Sequence, residues 1–303
     1  MYVIFLIMGG YFFMSSFSIV TDTGCDMPAA LAAKLDITAV PLKVIVAGKS
    51  FDCTLSPLNI GHQSFYDLLR NGVDVKTASP SIDDYDRYFR RELDRGKDVL
   101  YIGFSTGLSG AYNVAKIAAE ELRAEYPERQ IMTVDSRCGS MGQSLLLHYA
   151  VQRQREGASL KETYDFTKSL RHHVCHWFTL DDLGHLKKGG RISAAKAVVG
   201  SIMNIKPVLK VNHEGRLEIA YKARGKRLAV AKLVEQMGEH YYPDGNEIVF
   251  INHADCPEDA DLLARSITKN YGITNFVISE IGPVLGAHSG PGALAVYYIG
   301  TEK

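Results

Sequence analysis

Ser105, Thr106 and Ser109 stand with Gly107 and Gly110 in the stretch Ser105-Thr106-Gly107-Leu108-Ser109-Gly110. An apolar run of strand length, residues 99–104, precedes them and an alanine-rich segment, 115–122, follows, so the stretch reads as a turn from strand to helix. Hydroxyls gathered where a helix begins share that place with unpaired backbone N–H groups and the positive end of the helix dipole, which suits a carboxylate or a phosphate. The same residue types are ordinary caps and turn formers. A third reading comes from Gly103-Phe104-Ser105-Thr106-Gly107, which matches the G-x-S-x-G nucleophile elbow, with Asp135 or Asp255 and then His288 following in hydrolase order. Against a serine esterase or acyl hydrolase, no HGGG-like oxyanion segment precedes Ser105. Several hydroxyls also crowd a turn where such an enzyme needs one activated nucleophile.

Other candidate residues are spread along the chain. Thr77 and Ser79 precede Pro80, which favours an extended approach and presents them from a loop, while Ser81 can cap the helix that follows. Thr21-Asp22-Thr23 and Asp135-Ser136 also fall at the ends of apolar runs. In the basic turn around Lys187-Lys188-Gly189-Gly190-Arg191, the planar fork of Arg191 suits a carboxylate or phosphoryl group, although a solvated turn has the same composition. His288 lies in a Gly/Pro-rich loop, 281–292, where little core surrounds it and a ligand can come close. His172, His173 and His176 sit near one another with Cys175, and His172 and His176 are four apart on an expected helix, but no further ligand pair or acidic base accompanies them and surface or packing histidines are the better reading. Neither GxxxxGK[ST] nor a spaced GxGxxG occurs, so an obvious nucleotide motif is lacking.

Alternation places these residues. Strands are expected at 17–20, 37–46, 99–104 and 131–134, with helices to residue 35 and at 64–69, 83–94, 142–154 and 160–170. Such a pattern argues an α/β fold whose first sheet is largely parallel and flanked by helices, with ligands bound outside the carboxyl ends of its strands. The apolar segment 194–209 reads as a buried helix or as the lining of an apolar pocket. Residues 211–217 read as a hairpin, and 228–299 as a second alternating unit. Two domains are expected, 1–160 and 161–303, with the ligand site between them.

The chain has 303 residues, 46% of them apolar, and 34 basic residues balance 34 acidic ones. No basic excess exists to neutralise phosphates, which disfavours nucleic acid as the main partner. Five scattered cysteines without a CxxC pair fit reduced thiols and a cytoplasmic setting. Residues 1–13 are apolar but shorter than the roughly 20 a membrane span requires and lack a basic flank. They are expected to be an extra strand or helix packed on the body, with no stable membrane insertion.

Taken together, Thr21-Asp22-Thr23, Lys76-Thr77-Ala78-Ser79-Pro80-Ser81, Phe104-Ser105-Thr106-Gly107-Leu108-Ser109-Gly110-Ala111-Tyr112, Leu186-Lys187-Lys188-Gly189-Gly190-Arg191-Ile192-Ser193 and Gly286-Ala287-His288-Ser289-Gly290-Pro291-Gly292 resemble the successive motifs of the DegV family from about residue 17 onward. The resemblance implies a two-domain α/β protein that buries one long-chain fatty acid, such as palmitate, stearate or oleate, in an inter-domain tunnel. It also implies a carrier without turnover or cofactor of its own, similar to the subunit that presents the acyl carboxylate to a separate ATP-binding fatty acid kinase subunit. By motif, Thr77, Ser79, Ser105, Thr106 and His288 are expected around the carboxylate and Arg191 at the pocket mouth, facing the kinase. Ala78 and Ala111 each remove a hydroxyl common in the family, and Thr106 stands where a second Ser is common. Burying roughly fifteen methylenes at about 0.8 kcal/mol each gives on the order of 10 kcal/mol gross, so apolar walls would supply affinity and hydroxyls orientation.

Overall fold

A computed structural model describes residues 17–55, 61–181, 183–192, 204–242 and 247–303. The expected extension at 1–13 lies outside these residues, as does 194–203 of the apolar segment. The first part of the chain carries β1 (Phe17–Asp22), α1 (Ala29–Leu35), β2 (Thr38–Val40), β3 (Leu42–Val46), β4 (Lys49–Cys53), α2 (Gly61–Arg70), β5 (Val75–Ala78), α3 (Ile82–Leu93), β6 (Asp98–Gly103), α4 (Ala111–Glu125), β7 (Ile131–Asp135), α5 (Met141–Arg155) and α6 (Leu160–Leu170). The second carries β8 (Val174–Thr179), α7 (Gly184–Lys188), β9 (Ile205–Val211), β10 (Leu217–Arg224), α8 (Lys226–His240), β11 (Val249–His253), α9 (Pro257–Tyr271), β12 (Phe276–Glu280), α10 (Pro283–Ser289) and β13 (Leu294–Ile299).

The first sheet has the order β2-β1-β6-β7 and is parallel throughout. Helices cover both of its faces, as parallel strands require. On one side Tyr85 and Phe89 of α3 and Ala115, Ala118 and Ala119 of α4 pack on Val20, Val99 and Tyr101. On the other, α5 packs on Ile19, Leu100 and Ile102. Helix α5 is also the seam of the molecule, because its opposite side meets Phe250, Ala295 and Tyr297 of the second sheet. Its first turns from Met141 to Leu147 are therefore buried all round and show no polar stripe. The chain leaves the first sheet after α6, which still packs on α5, β6 and β7.

The second sheet has the order β10-β9-β8-β13-β11-β12, antiparallel except for β11 with β12. Helices α8 and α9 cover its outer face. A third, antiparallel sheet, β4-β3-β5, packs with α2 and α10 against the far end of the second. The α/β class, the parallel first sheet, the hairpin β9–β10 and the helix cap at Ser81, a reciprocal capping box with Asp84, agree with the sequence expectation.

Four local expectations differ. Residues 205–209 are strand rather than helix: the apolar run is short enough to be either, and β9 finds partners on both edges. The Gly/Pro loop 281–292 contains α10, started by Pro283 in its first turn with Gly282 as N-cap. Thr77 is presented by β5 rather than by a loop, paired with Val44. Finally, His172 and His176 do not share a helix. Helix α6 ends at Leu170, and the β-branched and aromatic side chains of Val174, Trp177, Phe178 and Thr179 make that segment a strand. Among the described residues no group of three or more His, Cys, Asp or Glu could hold a metal ion.

Candidate functional site

Strand alternation and two helix ends build one cavity between the sheets. On β8 the residues His176 and Phe178, and Leu180 just beyond, point to one face, and Ala295 and Tyr297 of β13 lie beside them. Val211 and Leu217, at the stem of the β9–β10 hairpin, close one side, and Val284 and Leu285 of α10 with Leu42 of β3 close another. The space is about 850 Å³, counted with the open solvent at its mouth. Its walls are mainly aliphatic and aromatic.

Polar groups gather at one end. Thr77 Oγ1 and His288 Nε2 are 2.8 Å apart although the residues are 211 positions apart in the chain. Both line the cavity, with Ser109, Ser289 and Arg191. Arg191 donates through Nε to the Leu108 carbonyl at 3.2 Å and through Nη1 to the Gly189 carbonyl. Gly189 is needed for this closeness, since a Cβ there would fall 2.2 Å from His288 Nδ1. Burial first, then the charges of Arg191 and His185, push the His288 imidazole down to about 4, so it is neutral at physiological pH. Neither His288 Nδ1 nor Ser289 Oγ has a hydrogen-bond partner among the described residues. An acceptor-rich anion fits this end, where hydroxyls, an N–H and a guanidinium converge.

The other expected site residues have different partners. Ser79 stands behind Ser109, their hydroxyls 3.4 Å apart. Ser105 is fully buried; its hydroxyl donates to the Gly215 carbonyl at 2.8 Å and accepts from the Gly107 N–H at 3.1 Å. Thr106 donates to the Asp135 carboxylate at 2.6 Å on the outer side of the turn. Ser105 and Thr106 thus fix the turn and the hairpin tip, and Ser105 makes no nucleophile–base pair with His288, whose ring meets Thr77. Asp22 has a similar duty. Tyr101 Oη and the N–H groups of Phe104 and Gly24 donate to its buried carboxyl, which burial holds above the usual carboxylate range.

Sequence reading missed Ser109 and Ser289 as wall residues, although both lie in motifs already singled out. The signal available for Ser109 was its position in the turn, nearer the helix than Ser105. A polar seam also runs under the cavity: Ser140 donates to Asp26 at 2.6 Å, Asn252 donates to Ser140 at 2.7 Å, and Tyr297 donates to Asn252 at 3.1 Å. Asp26 in turn accepts from Gly282 N–H at the start of α10, and desolvation pushes its carboxyl up to about 7.

Comparison with known proteins places this geometry. A sequence profile described as "Uncharacterised protein, DegV family" matches residues 16–301. A DegV domain-containing protein of Clostridium perfringens is 36% identical over 294 residues, 96% of this chain and 99% of its own. A DegV lipid-binding protein from Thermotoga maritima superposes with a TM-score of 0.83 at 27% identity, over 95% of this chain and 99% of that one. A fatty-acid-binding DegV family protein from Thermus thermophilus does so with a TM-score of 0.84 at 27% identity, over 94% and 99%.

Proposed function

The chain belongs to the DegV family, and from that premise we propose that it binds one long-chain fatty acid in the cavity enclosed by its sheets and hands it on as a carrier. The observation that carries this reading is the cavity itself, a mainly apolar enclosure with Thr77, Ser109, His288, Ser289 and Arg191 gathered at one end. The acyl chain lies against Phe178, Leu180, Val284 and Ala295, and burial of its methylenes supplies most of the affinity. At the polar end Ser109 donates its hydroxyl to the carboxylate, His288 donates its Nδ1–H while its Nε2 accepts from the Thr77 hydroxyl, and Arg191 supplies the counter-charge. Ser79 backs Ser109, and Ser105 and Thr106 hold the turn from which Ser109 projects.

A carrier of this kind brings the carboxylate to the surface for chemistry done elsewhere. The partner we propose is an ATP-binding fatty acid kinase subunit in the cytoplasm, where ATP is available. The carboxylate attacks the γ-phosphorus, a new C–O–P linkage forms, and ADP leaves from the partner. Arg191 then stabilises charge on the transferring group. The protein provides position, and the partner provides the phosphoryl donor.

Native mass spectrometry of the purified protein, followed by denaturing extraction, tests the reading. A fatty acid at one per chain is the expected result. A protein that purifies empty and whose mass does not shift with added oleate overturns it.

A further inference from the structure

We propose that the preferred ligand carries a hydroxyl part-way along its acyl chain and that His176 recognises it; this rests on the fatty-acid reading and adds the substrate class. Among the described residues, three side chains on the cavity wall have buried polar atoms without a hydrogen-bond partner: His288 at Nδ1, Ser289 at Oγ, and His176 at both ring nitrogens. A carboxylate at the Thr77 end accounts for the first two. It does not reach the third.

His176 stands deep in the apolar part. Along β8 the cavity-facing residues run Leu180, Phe178, His176. Leu180 clusters with Leu186 and Ile192 beside Arg191, and four residues of extended chain put His176 about 13 Å further on. The side chain is 2% exposed, its ring meets Tyr297 edge-on with centroids 5.3 Å apart, and burial keeps it uncharged at neutral pH. Helix α5 is shaped to admit it, since a Cβ on Gly142 would fall 1.6 Å from Nε2.

The polar groups nearby are engaged with one another: Ser140 with Asp26 and Asn252, and Tyr297 with Asn252. The fold therefore buries an imidazole, cuts back a helix to fit it, and supplies no partner among the described residues. A neutral imidazole presents one N–H donor and one acceptor nitrogen. A hydroxyl can pair with one of them, accepting from the N–H or donating to the bare nitrogen, whereas a methylene or a double bond pairs with neither. Sites built to hydrogen-bond a substrate hydroxyl discriminate strongly against the analogue lacking it.

The test is displacement of a fluorescent fatty acid from the delipidated full-length protein by stearate and by a positional series of monohydroxystearates. We expect at least one mid-chain isomer to bind ten times more tightly than stearate or better. In His176→Phe that preference disappears while stearate still binds. Stearate binding the parent protein as tightly as every isomer overturns the inference and leaves the fatty-acid reading intact. The positional comparison on the parent chain decides even where the variant fails to fold. No displacement by any of these acids brings down the fatty-acid reading, and this inference with it.

Discussion

Thr77 and His288 form the smallest unit on which the site depends, a hydroxyl and a neutral imidazole in contact. Removing the hydroxyl in Thr77→Ala deletes the donor that holds His288 with its Nδ1–H turned to the proposed carboxylate. The expected loss is about 1–3 kcal/mol, or roughly ten- to a hundredfold in affinity by titration calorimetry, with the melting temperature nearly unchanged. Thr77→Ser should restore most of it. His288 adds a pH dependence. Its pKa falls from an ordinary 6.5 to about 4 on folding, so the unfolded chain binds more protons between those values. The stability it contributes is complete above about 6.5 and lost as pH falls towards 4. In His288→Gln this acid-side decline of the melting temperature should shrink; an identical decline in variant and parent would assign it to other groups. Thr77, His288 and Arg191, which line the cavity, were legible as candidates because each sits in a distinctive local pattern. Ser105 and Ser109 differ by four positions in one turn, and only the packing of the hairpin tip against Ser105 tells them apart. From sequence His176 is a surface or packing histidine; that its partners are missing among the described residues is visible only once the neighbouring strands are in place.

The β9–β10 hairpin is the element that ties the bodies together over the cavity. Its stem supplies Val211 and Leu217 to the wall, and its tip is held by Ser105 on the Gly215 carbonyl and by Arg137 on the His213 carbonyl. Gly215 has a positive φ of 75°, and a Cβ there would fall 2.1 Å from Ser105 Oγ. Gly215→Ala should therefore lift the tip and speed release of bound fatty acid to acceptor vesicles in stopped flow. Ser105→Ala should do so more mildly, through the loss of one hydrogen bond. Unchanged release in both variants would mean that the ligand leaves by another route. Elements with long-period patterns, such as α4, α6 and α9, were readable from sequence. Those that were not are short and take their form from neighbours: β9 from two strand partners, α10 from its Pro283 start, and β5 from its place against β3.

At the scale of the molecule, the cavity lies among the same side chains that hold the two sheets together, so occupancy and stability are linked. A fatty acid at a hundred times its dissociation constant should add about 2.7 kcal/mol to unfolding. Differential scanning of delipidated protein with and without oleate should show a rise in melting temperature that saturates with ligand; a flat response would place the ligand outside the core. The α/β class and the parallel first sheet followed from alternation alone. The mixed second sheet did not, because an antiparallel and a parallel neighbour look alike along one strand. The location of His176 on β8, with Thr77 on β5 and His288 on α10, has an engineering consequence. Substitutions separated by more than roughly 7–10 Å act nearly independently. The tail-reading wall can therefore be rewritten at His176 or Phe178 while the clasp on the carboxylate is kept, so that one scaffold serves as a set of exchangeable adaptors for different chains.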